Sequence, residues 1–193
     1  MSLNLLKKLL AGLSLLACSS AFAGSLTVDL SNINSVGEFG NARNTVLTFD
    51  VGANSHITNV NYSINVTAFD PSFLAELGLA FSNSTVTEGV LLTPGAFDMS
   101  PGTASYSDTL DLILSDLDFT VGADGILRLE FYEVWDDGRV TPDGFWNFGS
   151  ITFGYDALED PADVPEPASA LLVASGIAAL GVARRRRAGR VMH

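Results

Sequence analysis

The sequence is short of the side chains that most enzymes use as nucleophiles and metal ligands. It contains one cysteine, Cys18, and two histidines, of which only His56 lies in the central part of the chain. Zinc sites built from histidine and Ser-His-Asp triads therefore have no matching motif. If Cys18 is removed with an export signal, the mature chain has neither a disulfide nor a thiol nucleophile. These absences disfavour thiol, imidazole and zinc chemistry.

Basic residues are also scarce in the central part of the chain. Positions 24 to 163 contain twenty-one acidic residues, no lysine and three arginines, Arg43, Arg128 and Arg139. Neutralising phosphates requires lysine and arginine, so we expect no nucleic acid as a partner. Such an acidic excess is typical of a domain whose net negative charge keeps it soluble. This charge would attract cations.

The first 23 residues have the pattern of a secretory signal peptide. A basic pair precedes the apolar run Leu9 to Ala17, and Ala21-Phe22-Ala23 has small residues, Ala21 and Ala23, at the cleavage positions. We therefore expect export through the Sec machinery and cleavage by signal peptidase after Ala23. The alternative is lipoprotein processing, with cleavage before Cys18.

The region from 24 to 160 predicts an all-β domain. Asn59 to Ala68 alternates apolar with polar residues, the period of a strand with one buried face. Turn-forming residues separate this run from the others, although 74–79 also fits a helical turn. The predicted strands are Ser25 to Leu30, Thr45 to Val51, Asn59 to Ala68, Phe73 to Phe81, Val86 to Leu92, Ser105 to Leu114, Ile126 to Trp135 and Trp146 to Tyr155. Eight short strands without a long amphipathic helix indicate an antiparallel β-sandwich of jelly-roll type.

The last predicted hairpin contains the best candidate binding residues. Asp136, Asp137 and Asp143 lie on one glycine-bearing loop and offer the oxygen ligands that Ca²⁺ prefers. Trp135 and Trp146 flank the loop and would stack on sugar rings, with the acids accepting hydroxyl hydrogen bonds. The alternatives are ordinary Asp-Gly turn chemistry for the loop and a place in the core for both tryptophans. No other cofactor is expected.

A glycoside hydrolase is the one enzyme class that the composition leaves open, because it requires only two carboxylates. Glu130 and either Glu133 or Asp136 are the obvious pair. Acidic pairs are inevitable in so acidic a chain, however, and Glu130 and Glu133 fall on opposite faces of a regular strand. We therefore expect no catalytic residues and a protein that is not an enzyme.

The C-terminal tail combines three elements in a fixed order. Pro165, Glu166 and Pro167 end a linker over 161–167, and an uncharged apolar run follows over 168–183. The last segment, 184–193, begins with the cluster Arg184, Arg185, Arg186 and Arg187. An apolar helix followed by arginines predicts a short transmembrane helix with a cytoplasmic basic end.

This tail resembles the PEP-CTERM sorting signal of exported bacterial proteins. The resemblance is confined to the tail. It implies recognition by exosortase, a membrane-embedded enzyme that would cut near Pro165-Glu166-Pro167 and release the domain. It also implies a membrane-anchored precursor, a final location at the cell surface or in the extracellular matrix, and association with exopolysaccharide. A tail anchor that is never cut is the alternative.

Overall fold

The computed structural model describes residues 21–136 and 142–158, which belong to one compact unit. These residues form β-strands and one short 3₁₀ turn, Leu74–Glu76. The strands are β1 (Ala21–Asp29), β2 (Ile33–Ser35), β3 (Thr45–Asp50), β4 (His56–Ala68), β5 (Leu77–Asn83), β6 (Gly89–Leu92), β7 (Gly102–Asp111), β8 (Phe119–Thr120), β9 (Ile126–Glu133) and β10 (Gly144–Leu158).

The strands make two antiparallel sheets. One sheet has the order β1-β10-β4-β7, with β2 added beside β10 and β8 beside β4, and the other has the order β3-β9-β5-β6. The eight longer strands cross between the sheets in a sequence that resembles a jelly roll. The predicted all-β, antiparallel two-sheet sandwich is confirmed.

The core lies between the sheets and is formed by alternate residues of each strand. In β4 the side chains of Val60, Ile64 and Val66 are buried, whereas the polar residues between them point outward. Aromatic rings fill the centre, where Phe81 and Phe153 pack edge to face with centroids 5.2 Å apart. The alternation of apolar and polar residues in the sequence therefore matches the alternation of buried and exposed side chains in the strand.

The predicted strands are all present, with ends shifted by a few residues. The segment 73–81 divides, as its alternative assignment allowed, into the 3₁₀ turn at Leu74–Glu76 and β5. Sequence analysis missed β2 and β8, because strands of three and two residues are too short to show a period.

The N-terminal strand begins inside the predicted signal peptide. β1 starts at Ala21, and its register with β10 pairs Ala21 with Leu158 and Ala23 with Asp156. Cleavage after Ala23 would remove three residues of β1 and leave Gly24 to Asp29 paired. The rest of the signal peptide and the whole sorting tail lie outside the described residues. Within 21–136 and 142–158, no helix is long and apolar enough to cross a membrane.

Candidate functional site

The two tryptophans of the last hairpin have opposite environments. Trp146, on β10, is 1% exposed, packs edge to face against Phe131 at 5.2 Å, and donates its indole N–H to the Ser35 hydroxyl at 3.1 Å. Trp135, just after β9, is 64% exposed. Trp146 therefore lies in the core, which is the alternative expected for the two tryptophans, and almost none of its ring is exposed to a sugar. Trp135 alone remains available to a ligand.

The three aspartates that were predicted to bind calcium differ in their surroundings. Asp136 pairs with Arg43 at 3.7 Å, and Asp143 is completely buried directly before β10, while Asp137 lies outside the described residues. In the described part of the chain, no group of three or more His, Cys, Asp or Glu side chains is arranged to hold a metal ion. The calcium site therefore stays a prediction.

A buried glutamate lies at the base of this hairpin. Glu133, the last residue of β9, is 0% exposed, and neither of its carboxyl oxygens has a hydrogen bond of good geometry. Burial, followed by repulsion from Asp143, Glu76 and Asp136, raises the pKa of Glu133 to about 9, and the nearby Ser35 hydroxyl offsets this only in part. Glu133 is therefore protonated at neutral pH.

Glu130 is buried on the other side of the same sheet in a very different setting. Its carboxylate accepts hydrogen bonds from Arg128 at 2.5 Å, from the Asn44 amide at 2.8 Å and from the Gly40 N–H at 2.7 Å. Burial alone would raise the pKa of Glu130, but hydrogen bonds from Asn44, Arg128 and Gly40 outweigh it and hold the pKa below its usual value. This carboxylate anchors the loop before β3 to the outer face of β9.

His56, the one histidine of the domain, is paired with Asp118. Its Nε2 lies 2.6 Å from an Asp118 carboxylate oxygen, and both side chains are partly exposed. No serine hydroxyl is hydrogen-bonded to this histidine among the described residues, so the pair lacks the nucleophile of a triad.

A groove that sequence analysis did not single out lies between the sheets, along their β6 and β7 edges. It has a volume of about 560 Å³, and its lining includes Tyr62, Phe97, Asp98, Tyr106 and Asp108. The sequence carries one signal for it. Asp108 directly faces Tyr62 across the strand pair, on the face of β7 that also carries Tyr106 and Leu110, so an exposed carboxylate stands at a position of the period where an apolar residue is expected.

Comparison with known proteins identifies the tail. Residues 163–187 match the PEP-CTERM protein-sorting motif, which confirms the resemblance drawn from Pro165-Glu166-Pro167 and the arginine cluster. The motif implies an exported, membrane-sorted protein that is processed by exosortase. No curated protein matches the chain.

Several solved viral structures resemble the sandwich only distantly. The VP2 subviral particle of infectious bursal disease virus matches with 10% identity and a TM-score of 0.37, over 71% of this chain and 34% of VP2. The coat protein dimer of tobacco streak virus matches with 11% identity and a TM-score of 0.32, over 76% of this chain and 91% of the coat protein. The chain thus spans about a third of VP2, and similarity at this level carries no functional argument.

Proposed function

We propose that this chain is a non-catalytic β-sandwich protein of the cell surface or extracellular matrix, delivered by its C-terminal sorting signal and associated with exopolysaccharide. The observation that carries the proposal is the PEP-CTERM motif at 163–187, placed directly after a single sandwich domain. In this scheme the Sec machinery and signal peptidase act first, a membrane-anchored precursor follows, and exosortase then releases the domain.

The environments of the carboxylates support a non-catalytic role. Glu130 is held by Arg128 and Asn44, and Glu133 is enclosed next to Asp143. The two side chains lie on opposite faces of β9, so they cannot flank one glycosidic bond. A weak carbohydrate-active enzyme remains the least supported alternative, and turnover that is lost on Glu133→Gln would favour it.

A carbohydrate-binding module with a site in the hairpin 135–146 is the second candidate. Its support is the exposed ring of Trp135, since Trp146 is in the core. Calcium bound by Asp136, Asp137 and Asp143 belongs to the same alternative.

The sorting proposal is tested by the mass and location of the protein in its own host. Wild type is compared with the variant Pro165→Ala/Glu166→Ala/Pro167→Ala. We expect the wild-type product to lack residues 1–23 and the arginine-bearing tail, and the variant to keep its tail in the membrane. A wild-type product that retains Arg184 to Arg187 would contradict processing and indicate a permanent anchor.

A further inference from the structure

The groove between the sheets is a built feature of the β6–β7 crossing. β6 and β7 are edge strands of different sheets, and the segment that joins them lines the groove from Thr93 to Asp98. Backbone hydrogen bonds from Leu74 to Ser100 and from Ala75 to Asp98, both 3.0 Å, tie this segment to the 3₁₀ turn. The Tyr106 hydroxyl also donates to Asp98 at 3.0 Å. The wall of the groove is thus held from two sides.

A tyrosine hydroxyl without a partner lines the groove. Tyr62 is 7% exposed, and its hydroxyl forms no hydrogen bond with any residue in the described part of the chain, although the side chain belongs to the groove lining. Burial, followed by the charge of Asp108, raises the pKa of Tyr62, so the phenol keeps its proton and can both donate and accept. The hydroxyl oxygen itself is not fully buried, so it is open to the groove, where a ligand can reach it.

The remaining chemistry of the groove is acidic and aromatic. Asp98 and Asp108 supply two carboxylates, and Phe97 at the rim is 99% exposed. None of the lining residues in the described structure is basic. A second hollow of about 320 Å³ shares Tyr62 and Asp108 and is otherwise lined by amides and hydroxyls of β4 and β7. Asp108 therefore lines both hollows, so an oligomer that occupies the two of them would contact its side chain.

We propose that this groove binds an amine-bearing sugar chain, a cationic hexosamine oligomer. The two carboxylates and the acidity of the whole domain complement protonated amines. The Phe97 ring offers an apolar face and a cation–π contact, and the Tyr62 hydroxyl offers a hydrogen bond to a sugar hydroxyl. The volume lies within the range of about 300–1,000 Å³ that is typical of small-ligand sites. The inference rests on the proposed polysaccharide association, to which it adds a ligand class and a site.

The test is calorimetric titration of the intact protein, purified from whichever host fraction contains it. The probes are a glucosamine tetramer at mildly acidic pH, where its amines are protonated, and the N-acetylated tetramer, which has no charge. We expect binding of the glucosamine tetramer only, weakened by salt. Asp108→Asn should lower affinity about 10- to 100-fold, and Tyr62→Phe about 2- to 10-fold while preserving the ring that packs in the core.

Two control variants separate this groove from other surfaces. Asp156→Asn removes one exposed carboxylate of β10, and Trp135→Ala removes an exposed aromatic ring from the hairpin; neither residue lines the groove. Both should leave affinity unchanged, whereas Phe97→Ala should lower it about 2- to 5-fold.

Several results would overturn the inference. Equal affinity for both tetramers would show that charge plays no part, and loss of binding in Trp135→Ala would move the site to the hairpin. If Asp108→Asn binds as wild type does, Asp108 is not part of a binding site, and self-association of this variant would show that the exposed carboxylate protects the β7 edge instead. The assay does not depend on processing of the tail, so a failure here is distinct from a failure of the sorting proposal.

Discussion

Replacing Glu133 with glutamine should stabilise the sandwich at neutral pH and not at acidic pH. Glu133 is fully buried beside three other acidic residues, and its pKa is raised from an ordinary value of 4.5 to about 9. A group whose pKa is raised by folding contributes most favourably below the unfolded-state pKa, and that contribution is lost as pH rises towards the folded-state pKa. Glutamine carries no ionisable proton and so removes this dependence.

The magnitude follows from the proton that folding must retain. Between the unfolded-state pKa of 4.5 and pH 7, an interval of about 2.5 pH units, the unfolded chain has released the Glu133 proton and the folded chain has retained it. At about 1.4 kcal/mol per unit, this lowers the free energy of unfolding at pH 7 by up to about 3 kcal/mol relative to pH 4. Because Glu133 is neutral in the folded protein at pH 7, the substitution does not change the charge felt by Asp143, Glu76 or Asp136.

Urea unfolding at pH 4 and pH 7, followed by the fluorescence of buried Trp146, measures the effect. The difference in unfolding free energy between Glu133→Gln and wild type should be larger at pH 7 by up to about 3 kcal/mol. The control is Glu88→Gln, at an exposed position, which should change stability by no more than about 0.5 kcal/mol at either pH. An equal difference at both pH values, or a variant that is less stable at pH 7, would show that Glu133 is ionised and compensated in the native state.

Glu130→Gln, on the same strand, should behave in the opposite way: because its pKa is lowered by folding, its stabilisation is present above pH 4.5 and lost as pH falls. Removing this charge should cost about 1–3 kcal/mol at pH 7, and the cost should shrink as the pH is lowered below 4.5; a larger loss in acid would refute the assignment of an ionised carboxylate bound by Arg128. Trp146→Ala should destabilise by about 3–5 kcal/mol in thermal or urea unfolding, because it empties a filled core site, whereas Trp135→Ala should change stability by less than about 0.5 kcal/mol. Similar losses for the two tryptophan variants would contradict their different burial.

Strand positions could be predicted from the sequence because burial on one face leaves a period of two. Asn59 to Ala68 shows this in β4, where buried and exposed residues alternate as predicted. β2 and β8 could not be predicted, because each has only two or three residues. They adopt strand geometry by pairing with a longer neighbour, β2 with β10 and β8 with β4.

Candidate sites were harder to predict, because a site depends on which side of a strand faces another element. Trp135 and Trp146 are near in sequence and chemically identical, yet one ring is exposed and the other is enclosed by Phe131 and Ser35. Glu130 and Glu133 also look alike in the sequence. Packing gives one a cationic partner and the other acidic neighbours, and their pKa values move apart.

The sequence by itself determined the sorting motif and the class of fold. The tail can be identified without any tertiary structure, because Pro165-Glu166-Pro167 and the arginine cluster match the motif as a linear pattern. Only the tertiary structure decided which residues meet. Tyr62 and Asp98 come from separate segments, and they line one groove because the β6–β7 crossing carries the chain from one sheet to the other. This proximity cannot be read from the order of residues along the chain, because it arises from pairing between strands that are far apart in the sequence.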